Sequence, residues 1–159
     1  MKLTIAALFI IVLAFPAGCA TVAREDLTVT RIELRPKRDA MSLPAADELT
    51  SVLDPFLRAR RYIPVSESAL QSVGQESASL KTLKVAAGET VIEVWKPANL
   101  AESTYAEVRL SRKADAFEID FIGVNEDQVG AEACAAQELI MGKFSALKMT
   151  VESHKVGDD

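Results

Sequence analysis

The sequence predicts an α+β domain: an antiparallel sheet of about four to five strands, with a long C-terminal helix and an N-terminal helix packed on one face. Three observations lead there. Residues 104–124 read as two alternating strands joined by a four-residue loop. Residues 126–147 carry apolar side chains at helical spacing. A run of strands followed by a helix favours helices gathered on one sheet face over alternating strand–helix units.

The first strand is expected over Leu27 to Arg35, where Thr28, Thr30, Ile32 and Leu34 share one phase and Pro36 supplies a stop. Pro44 suits a first helical turn, and Leu49, Val52, Leu53, Phe56 and Leu57 then recur at helical spacing. Pro55 inside that pattern removes a backbone donor, so a kink or a pair of short helices is expected, with Asp54 capping the second. Arg58, Arg60 and Arg61 fall near the negative end of the helix dipole. Ile63-Pro64-Val65 reads as a brief extended link. Ser68 and Gln71 form a weak capping box for one short helix, with Gly74 as its stop.

Leu83, Val85 and Ala87 alternate as a strand, Gly88 marks a turn, and Val91 to Trp95 forms the next strand before Pro97. Trp95 shares its phase with Val91 and Glu93. In the hairpin, a loop of Arg112 to Asp115 sets Val108 against Ile119 and Ala106 against Phe121. The same register sets Arg109 against Glu118 and Glu107 against Asp120 on a face turned to solvent. The final helix runs from about Glu126 to Leu147. Its inward stripe is Val129, Ala133, Ala136, Ile140 and Phe144, with acids at its start and Lys143 and Lys148 near its end. Residues 152–159 read as a flexible polar tail.

The N-terminus has a separate character. Lys2 precedes an apolar run from Leu3 to Phe15, which is shorter than the roughly 20 residues that span a bilayer. A charged start, a short apolar run and small residues make a secretory signal. With Ala17-Gly18-Cys19 closing it, the segment resembles that of a bacterial lipoprotein precursor, although Pro16 stands where such precursors favour Leu. The resemblance implies lipid on Cys19 as the mature N-terminus. Ala20 after it is not the Asp that tends to retain such proteins in the inner membrane, so the outer membrane is implied. An ordinary cut after Ala20, releasing a soluble periplasmic protein, and an uncleaved anchor stay open. The expected organisation is a signal segment over 1–18, an anchor and tether over 19–26, one domain over 27–151 and the tail over 152–159.

The formal charge is −5, and removal of the segment carrying Lys2 makes it −6. An acidic domain is poorly suited to nucleic acid, where cationic side chains must displace counterions from phosphate. If Cys19 is lipidated or removed, Cys134 has no partner within the chain, and it reads best as a small buried side chain. His154 is the one histidine and falls in the expected tail, so no histidine-centred site is expected. Paired cysteines at zinc spacing, a Gly-x-Ser-x-Gly elbow and a phosphate-binding glycine loop are all missing from the sequence.

No metal or cofactor is therefore expected. The sequence favours a non-enzymatic domain whose partner is an envelope protein or the cell wall. Candidate surfaces are the face carrying Glu107, Arg109, Glu118 and Asp120, the Arg58, Arg60 and Arg61 segment, and Trp95, for which core or edge packing is the favoured reading. A small-ligand carrier with an apolar cleft between long helix and sheet is the alternative. A hydrolase built on Glu107 and Asp120 is a third reading.

Overall fold

The computed structural model describes residues 27–37, 42–65, 88–98 and 106–156. The elements in chain order are β1 (Thr28–Pro36), α1 (Ala46–Ala59), β2 (Tyr62–Pro64), β3 (Thr90–Pro97), β4 (Ala106–Arg112), β5 (Phe117–Gly123), α2 (Glu126–Lys143) and β6 (Leu147–Lys155). The strands form one antiparallel sheet in the order β2-β3-β4-β5-β1-β6. The α+β class is as expected; among the described residues the sheet has six strands rather than four to five. The two additional strands are β2, which the sequence reads as a link, and β6, which it reads as helix end and tail. The signal segment with Cys19, the Ser68–Gln71 helix and the Leu83–Ala87 strand lie outside the described residues.

One sheet face holds the core. Ile32 and Leu34 of β1, Trp95 of β3, Val108 and Leu110 of β4, and Phe117, Ile119 and Phe121 of β5 alternate onto it. Against them pack Leu49, Leu53 and Leu57 of α1 and Val129, Ala133, Ala136 and Ile140 of α2. Burying each large apolar side chain contributes about 1.5–3 kcal/mol, which is why the alternation fixes the faces. The space between α2 and the sheet is filled by these side chains, so the apolar cleft expected there is occupied by core.

α1 is a single helix with Pro55 inside it, and Asp54 is internal rather than a cap. α2 starts on Asn125, whose side chain accepts from the Gln128 amide at 3.2 Å, and ends at Lys143. The chain then turns through Ser145 and Ala146, and β6 lies along β1 for nine consecutive pairs, Pro36 with Leu147 through Thr28 with Lys155. His154 is thus an exposed strand residue opposite Val29. Cys134 is exposed, because the buried stripe passes through Ala133 and Ala136 instead. Gly88 opens β3 with a φ of +83°, the left-handed value that makes glycine apt at that turn.

Candidate functional site

The face of the sheet away from the helices carries charge. Its register departs from the expected one. The hairpin loop is Lys113 to Ala116, closed by the Lys113 amide donating to the Ala116 carbonyl at 2.9 Å. This loop starts one residue later, and the pairing of β4 with β5 shifts by two residues. Val108 opposes Phe121, Leu110 opposes Ile119, and Arg109 opposes Asp120. Glu107 opposes Ile122, so the Glu107–Asp120 pair needed by the hydrolase reading does not form. A shift of two residues keeps every side chain on its face, which is why alternation alone could not detect it.

Across the sheet, Val94, Arg109, Asp120, Arg31 and Glu152 fall in one row, and Val91, Ser111, Glu118, Glu33 and Thr150 in the next. Glu33 and Glu118 are therefore like charges directly opposite, a destabilising arrangement unless cations intervene. They do. Arg31 donates from Nε to Asp120 Oδ1 at 2.7 Å and from a terminal nitrogen to Oδ2 at 2.9 Å. Its other terminal nitrogen lies 3.1 Å from Glu118 Oε2, off the hydrogen-bonding direction. Lys113 donates to the second Glu118 oxygen. Arg35 pairs with Glu33 and Asp115. On the β3 side, Arg109 donates to Glu107 at 2.8 Å, and Lys96 stands 3.9 Å from the other Glu107 oxygen.

The sequence places these groups on a face turned to solvent; the structure buries them. Glu107 is 0% exposed, Glu118 1%, Asp120 2% and Arg109 4%. Opposed ionic partners make this burial tolerable: a lone charge there would cost several kcal/mol, whereas a paired one is close to neutral against apolar packing. The hydrogen bond to Asp120 raises the pKa of Arg31, so the guanidinium stays charged. The Arg35 bond lowers the pKa of Glu33. The network is a structural brace rather than a free contact surface. Beside it a hollow of about 180 Å³ opens among Arg31, Glu33, Lys113, Glu118, Thr150 and Glu152.

Trp95 is also withdrawn from the surface. It is 0% exposed, and its indole donates to Asp54 Oδ1 at 3.1 Å. A β-bulge between Val91 and Glu93 breaks the shared phase: Val91 opposes Ser111 on the ionic face, while Glu93 opposes Leu110 on the helix side. A second hollow, about 440 Å³, lies between the start of α1 and the end of α2, lined by Leu43, Pro44, Glu48, Lys143, Phe144 and Leu147 among others.

The arginine segment alone stays exposed. Arg58 donates to Asp54 at 2.6 Å, an i,i+4 pair, and lowers the Asp54 pKa. Arg60 lies 3.7 Å over the Phe56 ring and donates to the Phe56 carbonyl. Arg61 holds a φ of +66°, uncommon for a residue with a side chain. Its carbonyl accepts from the Ala98 amide at 2.7 Å, tying the turn to β3. Among the described residues no cluster of His, Cys, Asp or Glu could hold a metal ion. No described helix is long and apolar enough to cross a membrane.

No family model matches the chain, and no curated protein or solved structure matches it at a significant level.

Proposed function

We propose that the chain is a non-enzymatic lipoprotein of the bacterial envelope, anchored by lipid on Cys19, whose domain docks on another envelope component through the arginine turn that closes α1. The lipobox-like N-terminus supports the address. The turn supports the docking, and one observation carries it. Arg61 keeps a left-handed backbone at an exposed position where glycine would sit without strain. Arg58 and Arg60 flank it, each held by a neighbour one helical turn back. Three guanidinium groups on one turn suit a partner that presents carboxylate or phosphate, which arginine grips in bidentate fashion.

Cross-linking in intact cells, followed by membrane purification and mass spectrometry, tests this reading. The expected result is one stoichiometric partner, captured by the native chain and lost from the Arg60→Glu, Arg61→Glu variant. Cys19→Ser should leave the precursor unprocessed or move it to the soluble fraction. Capture of abundant bystanders alone, equal for native and variant chains, would count against the docking role. Unchanged processing and membrane retention of Cys19→Ser would remove the lipid anchor.

A further inference from the structure

The two edges of the sheet are finished differently. β2 is three residues long and ends on Pro64, which has no amide to offer a further strand. β6 is nine residues long, with no proline and no bulge in its ladder with β1. Among the described residues no strand pairs with its outer side. Glu152 and Val151 are exposed, Val151 by 38%. Such an edge presents a row of unpaired amides and carbonyls and pairs readily with another strand.

The β6 sequence is self-complementary about Thr150. If two copies run antiparallel with Thr150 at the two-fold axis, Lys148 of each faces Glu152 of the other, twice over. On the opposite face Met149 of each meets Val151 of the other. Met149 already packs on the core, so its neighbour from the second copy would extend that core over the exposed valine. Opposite charges and apolar pairs directly across a ladder are both stabilising. Other centres lose this match. An axis at Lys148 or Glu152 sets like charges face to face, and one at Val151 sets Lys148 against His154. An axis at Ser153 sets the exposed Val151 against Lys155 and so loses the apolar pair. Neither Lys148 nor Glu152 has an ion pair within the chain among the described residues.

We infer that a second copy of this chain adds along β6, antiparallel and centred on Thr150, so that the two sheets become one. The interface lies at the sheet edge opposite β2 and does not depend on the arginine turn or on what that turn contacts.

Cysteine trapping on the full chain in intact cells tests the contact and its register together. In a Cys134→Ser background, Thr150→Cys should give a disulfide-linked dimer on mild oxidation, since paired strands bring the two positions within disulfide reach. The parent retaining Cys19 is measured beside it as background. Met149→Cys and Val151→Cys should each stay at that background alone, yet cross-link to one another when the two variants are co-expressed. Lys148→Glu and Glu152→Lys should each lower the Thr150→Cys dimer several-fold, and the double exchange should restore it. A dimer trapped through Val151→Cys alone would overturn the register. No dimer above background, or a disulfide to a different protein, would overturn the second copy as occupant. All substituted positions except the half-buried Met149 are exposed, and the charge exchanges give a second readout should a cysteine variant misfold.

Discussion

Glu93 illustrates how much a single side chain depends on its row. Half-buried on the helix side of β3, it has its carboxyl pKa pushed up by burial, with the negative charge of Asp54 adding to the effect. A group that binds its proton more tightly in the folded state favours folding when protonated and opposes it once ionised. Its contribution therefore declines as pH rises through the folded-state pKa, above the usual glutamate value of 4.5. Glu93→Gln should raise the thermal unfolding temperature modestly at pH 7, with the gain vanishing by about pH 4, where both folded and unfolded chains hold the proton. A gain of the same size at both pH values would show that charge is not its source. Residue pairings of this kind were only half legible in the sequence. Alternation assigned Glu107, Arg109, Glu118 and Asp120 to one face correctly, because period two is a local property. Which of them meet depends on where the loop begins, and their burial depends on groups such as Arg31, distant in the chain. Trp95 packs in the core, as its favoured reading has it, but its shared phase with Val91 fails because the bulge beside it inserts one residue that alternation has no means to register.

The elements were legible in proportion to their own patterning. α1, β4, β5 and α2 stand where periodicity puts them, because each buries one clear apolar stripe. β6 was missed although its signal is present. Leu147, Met149 and Val151 alternate with Lys148, Thr150 and Glu152, but the run follows a helix after only a short turn and only Leu147 is buried. Helical spacing therefore runs on as far as Leu147, the first residue of the strand. At the other end of the fold, α1 closes on Arg60, and Arg61 takes the left-handed conformation that ends many helices. That conformation costs a residue bearing a Cβ about 1 kcal/mol relative to glycine. Arg61→Gly is expected to stabilise the domain by about 1 kcal/mol in urea unfolding, while weakening partner capture. The neighbouring Arg60→Gly, at a φ of −97°, should bring no such gain. Equal effects at the two positions would remove the backbone explanation.

Over the whole molecule, β4, β5 and β1 lie inside the sheet, with buried side chains on both faces, whereas β2 is a short edge. Amide hydrogen exchange should be slowest in β5 and β1 and fastest in β2. Rapid exchange throughout β1 would mean that its place between β5 and β6 is not held in solution. The fold class was legible from the order of strands and helices, since that order limits how layers can stack. The strand order was not. β2 to β5 follow one another as neighbours, but β1 sits between β5 and β6, and its pairing of Thr28 with Lys155 joins the two ends of the described chain. This placement governs when the protein can fold. A chain emerging from its N-terminus, from a ribosome or through a membrane channel, delivers β1 first and its partners last. The sheet has no middle until β5 has followed it out, and β1 is flanked on both sides only when β6 arrives. Contacts so distant in sequence form slowly, because a long loop must close before they are made. A chain delivered from its N-terminus therefore cannot complete its sheet until its last strand has emerged.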